Sequence, residues 1–256
     1  MRLLIGDYED GKLAPAFHET GDDVPIATLV ELKGRFTEEY RAANIRLTED
    51  QLLAAATPDQ DAIQAVHALA QLDIALNGLG KYTTEWHQMH HPGSTEPWTE
   101  LALTTLEEPG LKEMNAAVRD LVAARDKVVA RLEEHMTKLL PNTTEIIGGV
   151  LAAKLLDHAG SVERLARLPS NIIQLLGAEQ ALFRFLRSRD GRPPKHGVIL
   201  SHPLVQGVPA KRRGAMARKL ANAIAIAVRV DANNGERIAP RLLQRLEVQY
   251  NGIARS

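Results

Sequence analysis

The sequence predicts a mainly α protein with three parts: a small N-terminal α/β unit, two long helices joined by a reversal, and an all-α C-terminal domain. Three observations predict it. Hydrophobic residues are 45% of the 256 but aromatic ones only 4%, a balance that suits Ala- and Leu-rich helices better than sheets. Two long segments repeat apolar residues at helical spacings. The third is a split in charge. From Leu151 onward there are 18 Lys and Arg against 7 Asp and Glu, which leaves 13 against 25 before it. The net charge of −1 therefore joins an acidic half to a basic one. That asymmetry points to a half that faces nucleic acid, or else to solvated helix faces of differing sign.

The length admits one large domain or two small ones, with ample core for either. Cysteine is absent, so no disulfide or thiolate metal site is available, as suits a reducing compartment. The N-terminus has no apolar segment of signal-peptide type, and no apolar run is long enough to span a bilayer. A soluble, cytoplasmic protein is expected.

Residues 1–56 read as the α/β unit. Arg2 to Ile5 and Lys12 to Phe17 are short strand candidates around an Asp10-Gly11 turn. A helix is expected over Ile26 to Ala43, and a shorter one after Thr48, with Glu49 and Asp50 in its first turn.

Residues 57–140 hold the two long helices. Thr57 can cap the first and Pro58 fits its opening position. Ile63, Val66, Leu69, Leu72, Leu76 and Leu79 line one face as far as about His90, where Pro92-Gly93-Ser94 ends it. A connector through Pro97, Pro109 and Gly110 follows. Leu111, Met114, Val118, Leu121, Arg125, Val128, Leu132, Met136 and Leu139 then give a heptad-like series. By periodicity, these are equally an antiparallel coiled-coil hairpin or two helices of an ordinary bundle.

Residues 141–256 form the C-terminal domain. Pro141 breaks the second long helix, and a new one starts at 142–145, with Asn142 or Thr144 as cap and Ile146 to Leu156 supplying a buried face. A short helix ends before Pro169. Gly177 permits a sharp change of direction into a helix that begins at Glu179, where the dipole favours an acid. Leu182, Phe183 and Leu186 are its apolar side, and Arg184, Arg187 and Arg189 its basic edge, continuing to Arg192 and Lys195. Gly197 to Leu200 reads as extended, and Pro203 to Pro209 as a loop. The stretch Lys211 to Asp231 opens basic and closes apolar.

No catalytic pattern emerges. His87, His90 and His91 have metal-like spacing but lack a positioned third or fourth ligand. Gly78-Leu79-Gly80-Lys81 lies within a helical pattern and is no phosphate loop. Ser170 and Ser201 lack a nucleophile elbow. Glu133-Glu134 reads as a solvated helix face. The basic residues are more informative. Lys195-His196, held between Pro194 and Gly197, can present a cation and a ring to a splayed base or ribose. Lys211, Arg212, Arg213, Arg218 and Lys219 suit phosphate contacts. Arg187, Arg189 and Arg192 suit either an anion or a solvated helix end. Arg229 is expected to pair with Asp231.

Four motifs in order carry a family resemblance: Gly177-Ala178-Glu179 with Ala181-Leu182-Phe183-Arg184; Pro194-Lys195-His196-Gly197-Val198-Ile199; Arg213-Gly214 with Ala217-Arg218; and the run Ala225 to Asp231. Together they resemble the Nop domain of the archaeal and nucleolar scaffolds of box C/D ribonucleoproteins (RNPs), nearly continuously from Asp59 to Gly235. The family usually has Lys where this chain has Gln180, and an aromatic residue near Leu200. Asp73, Asn77, Trp86, His90 and Pro92 fall where its first coiled-coil helix has similar residues.

The resemblance implies an antiparallel coiled-coil hairpin that self-associates into a homodimer and an all-α Nop domain. It implies a non-catalytic scaffold without a cofactor of its own, for an RNP that guides RNA 2′-O-ribose methylation. Its partners would be a box C/D guide RNA, a kink-turn-binding protein, and fibrillarin, which brings S-adenosylmethionine. The contact would be built from Gln180, Arg184, Arg187, Lys195, His196, Arg212, Arg213, Arg218 and Lys219, with Gly177 as the structural turn. Two other readings stay open: a kink-turn RNP-binding Nop protein without fibrillarin, favoured by an N-terminal unit shorter than the family's, and a helical protein-interaction adaptor.

Overall fold

A computed structural model describes residues 2–3, 6–9, 12–15, 37–188, 194–233 and 235–254. The fold is mainly α. Two compact units divide at Thr57, spanning Met1–Thr57 and Pro58–Ser256.

The N-terminal unit contains a three-stranded antiparallel sheet, β1 (Arg2–Leu3), β2 (Gly6–Glu9) and β3 (Lys12–Pro15). Glu9 pairs with Lys12 across the position of the expected turn. The middle strand has no apolar alternation to announce it. The helix expected from Ile26 lies mostly outside the described residues; the described part, α1 (Thr37–Ala55), continues unbroken through Thr48. Thr48 is therefore not a cap. Its hydroxyl donates to the Asn44 carbonyl at 2.7 Å, an i−4 bond that leaves the helical ladder intact.

The second unit opens with α2 (Pro58–His90), which carries Asp59 and Asp61 in its first turn. A connector holding the short helix α3 (Trp98–Leu101) leads to α4 (Leu111–Leu139). The helices α2 and α4 run antiparallel: His135 reaches the Pro58 carbonyl, Arg125 donates to Asp73 at 2.6 Å, and His91 meets Glu108 at 2.6 Å. The expected heptad residues Leu111, Val118, Leu132 and Met136 are buried, but Leu121, Arg125 and Val128, in the middle, are only half-buried. The connector is pinned by buried Asn115, whose amide donates to the carbonyls of Leu101 and Thr104.

Beyond Leu140 the chain breaks into short helices around one core: α5 (Pro141–Ile147), α6 (Gly149–Ala159), α7 (Val162–Arg167) and α8 (Ser170–Ile173). They pack on α11 (Arg213–Ala232), whose Ala217, Leu220, Ile224, Ala227 and Val228 are fully buried. The last helix, α12 (Ala239–Ala254), closes over α11 with Leu242 and Leu246. The same core takes in Ala62, Ile63 and Val66 of α2 and Leu132 and Met136 of α4, so the hairpin base is continuous with the domain.

Two expectations about this core are corrected. Neither Asn142 nor Thr144 caps α5, which starts at Pro141; its free N–H groups are met from a distance by Asp231, whose carboxylate accepts from the backbone nitrogens of Asn142 and Thr143 at 3.0 and 2.9 Å. Asp231 therefore does not pair with Arg229. Two residues apart on α11 they point about 200° away from each other, Arg229 to the exposed face and Asp231 to the buried one, and Arg229 instead donates to the carbonyls of Ala166 and Leu168, both at 3.1 Å.

Candidate nucleic-acid interface

The site begins at a double constraint on the backbone. Gly177 sits at φ +84°, the left-handed region that side chains avoid, and a Cβ there would lie 2.4 Å from Val198 Cγ1. Its N–H donates to Glu179 Oε1 at 2.7 Å, which ties the turn to the first residue of α9 (Glu179–Ser188). Opposite, the nitrogens of Gly197 and Val198 donate to the carbonyls of Gln174 and Leu176, both at 2.8 Å. A Cβ on Gly197 would collide with the Leu176 carbonyl oxygen. These contacts clamp residues 194–198 against the end of α8.

The clamp also corrects the expected extended run. After two bridging bonds the chain folds into a 3₁₀ turn, Val198–Ser201, which buries Ile199 completely. The supposed loop that follows contains a short helix, α10 (Pro203–Gln206). His202 caps it, with Nδ1 accepting from the Leu204 nitrogen at 3.2 Å while Nε2 faces the Ile146 carbonyl at 3.3 Å. Burial pushes the His202 pKa down, partly opposed by that carbonyl. These two partners place the neutral ring's proton on Nε2.

Lys195 and Arg218 come together. With Asn171, Gln174, Leu175, Pro194 and Gly214 they line a concave site of about 460 Å³. The Gln174 amide donates to the Lys195 carbonyl at 2.5 Å, so the loop is positioned by its backbone while its ammonium remains exposed. Arg213, the first residue of α11, has its Nε buried without a hydrogen-bond partner.

The other expected residues do not line this cavity. His196 is half-buried beside it; Arg212 is exposed just before α11. Lys219 turns away into a neighbouring groove. Gln180, Arg184 and Arg187 are exposed along α9. Arg189 and Arg192 lie outside the described residues. The expected apolar side of α9 is not a core face, because no residue of that helix is buried; Phe183 is 69% exposed and Leu186 60%. Asn171 and Gln174 were not legible as site residues, since a polar residue in a four-residue helix carries no pattern. Of the three histidines, His87 and His91 pack together with ring centroids 4.4 Å apart and planes tilted by 36°, and His91 bonds to Glu108; among the described residues no group of three or more His, Asp or Glu could hold a metal ion.

A helical hairpin continuous with an all-α domain, whose surface carries a cationic concavity and an amphipathic helix with no buried residue, defines a class of helical protein. A family model described as Nop, snoRNA binding domain, fibrillarin, matches residues 94–250. The chain belongs to the Nop family. A NOP5 family protein of Methanocaldococcus jannaschii is 32% identical over 240 residues, covering 77% of this chain and 58% of the relative. Nucleolar protein 56 of Homo sapiens is 27% identical over 248 residues, covering 76% and 42%. The chain thus spans about half the length of these curated relatives. A chain from the crystal structure of a fibrillarin/Nop5p complex superposes with a TM-score of 0.57 at 27% identity, covering 98% of each.

Proposed function

We propose that this chain is a non-catalytic scaffold of a box C/D small RNP that guides RNA 2′-O-ribose methylation in the cytoplasm. The observation that carries the reading is the clamped cavity, in which Lys195 and Arg218 share one concave surface. Fixed cations on a rigid frame suit RNA phosphates, which give affinity without reading sequence. The exposed Phe183 and Leu186 of α9, flanked by Arg184 and Arg187, suit a partner that is part apolar and part anionic. A kink-turn RNA held by its kink-turn-binding protein offers both.

Within this scheme residues 141–256 meet the RNP, residues 57–140 pair two copies, and residues 1–56 carry fibrillarin. The likeness of 98% of the chain to a chain of a fibrillarin/Nop5p complex supports fibrillarin as the partner. The pairing is supported by an apolar cleft of about 530 Å³ on the hairpin, lined by Leu76, Trp98, Ala102 and Val122, beside Leu103 at 86% exposure. No helix among the described residues is long and apolar enough to cross a membrane.

Reconstitution tests the reading. The full chain should bind a kink-turn RNA only with its kink-turn-binding protein present, and should then retain fibrillarin on the complex. Binding that ignores the kink-turn protein, or its complete absence, would overturn it.

A further inference from the structure

The helix α11 carries a second cationic face. Lys219 lies one residue beyond Arg218, about 100° around the helix, and lines a groove of about 430 Å³ between α11 and α12. Arg229 stands at the far end, about 15 Å further along the axis, and Arg245 borders the groove from α12. Among the described residues none of these cations has a carboxylate within 4.0 Å. The two carbonyl bonds of Arg229 fix its charge in place. Asn222, Gln249 and Ser170 add neutral hydrogen-bonding groups to the lining.

The groove adjoins the cavity of Lys195 and Arg218. The short helix α8 separates them: Ser170 borders the groove and Asn171, the next residue, borders the cavity. A row of like charges some 15 Å long fits a chain of anions better than one ion, and the amide and hydroxyl groups of the lining suit phosphate and ribose oxygens. We propose that this groove is a second RNA-backbone contact, which takes the single strand leaving the Lys195/Arg218 cavity. The inference rests on the RNA reading above for the identity of the anion.

The test uses the full chain with a kink-turn-binding protein and two RNAs, a kink-turn hairpin with a single-stranded tail and the same hairpin without it. Arg245→Glu should weaken binding of the tailed RNA about fivefold or more and lower the salt slope by about one to two, with little loss on the tail-less RNA. Lys219→Ala should act the same way with a smaller effect. Arg218→Ala should weaken both RNAs. Full-strength binding of the tailed RNA by Arg245→Glu, or equal loss on both RNAs, overturns the proposal. Should Arg218→Ala bind normally while Arg245→Glu fails, the groove stands and the cavity reading falls. An acidic-peptide groove is the remaining outcome: polyglutamate binding abolished by Arg245→Glu with RNA binding intact would overturn the RNA assignment. Arg245→Gln repeats every measurement should the charge reversal disturb folding, which circular dichroism reports.

Discussion

Asp231, near the end of α11, accepts from the backbone and the side-chain nitrogens of Asn142 at 3.0 and 2.8 Å, and Asn142 Oδ1 in turn accepts from the nitrogens of Ile238 and Ala239 at 2.7 and 3.0 Å. Thr143 adds its N–H and its hydroxyl to the same carboxylate. The buried acid at the end of α11 thus satisfies the start of α5, and the buried amide in α5 satisfies the start of α12. Three helices are locked at the point where the hairpin enters the domain.

Removing that acid leaves several buried donors unmet. Asp231→Ala should lower the unfolding free energy by roughly 3 kcal/mol, since charged hydrogen bonds and stranded donors each weigh more than ordinary ones. Urea denaturation with Arg229→Ala as control measures it. The control loses only two exposed carbonyl contacts, so its loss should be clearly the smaller; comparable losses would refute the assignment of the lock to Asp231.

A bulky residue at Gly177 meets two obstacles at once. Gly177→Val would place a β-branched residue at φ +84° and a Cβ 2.4 Å from Val198. Destabilisation by about 2 kcal/mol is expected from the backbone conformation alone, before the clash adds to it. Thermal unfolding reads this directly, and an unchanged melting temperature would mean that the turn does not need glycine.

Gly177 also shows what was legible in the sequence. The turn, the helix starting at Glu179, Pro58 at the head of α2 and the two long helices followed from local rules, because glycine, proline and apolar spacing act within a few residues. The partners of Asp231 were not legible. Arg229 is two residues away and Asn142 is 89, and only the packed fold decides between a near charge and a distant amide. The same limit hid Gln174 and Asn171, which matter through the loop that the fold lays against them. Phe183 and Leu186 misled in the opposite sense: an amphipathic pattern states that a face will be covered, not that this chain covers it.

His202 gives the fold a mild acid sensitivity. Its Nδ1 accepts the Leu204 N–H, so a proton there would set two donors against each other. Because burial depresses the folded pKa below the ordinary histidine value, the unfolded chain binds the extra proton first. Its contribution is fully present above about pH 6.5 and is lost as pH falls from there toward the folded pKa. Unfolding free energies measured from pH 7.5 to 5 should decline, and His202→Asn should flatten that decline. An equally steep profile in the variant would place the sensitivity elsewhere.

The exposed helix α9 separates binding from stability. No residue of α9 is buried, so Phe183→Ser and Leu186→Ser should leave the unfolding free energy within about 0.5 kcal/mol of the parent, as surface substitutions do. Both should nevertheless weaken assembly on kink-turn RNA with its protein, since they remove an apolar face the partner would cover. Arg213→Ala and Arg218→Ala should weaken the same assembly through charge, each lowering the log-log salt slope by about one. The two pairs therefore differ in kind. Loss from the apolar pair should persist at high salt, whereas loss from the arginines should shrink as screening removes what the parent gains from them. Titrations at two ionic strengths distinguish these outcomes, and an apolar pair that assembles like the parent would remove α9 from the interface.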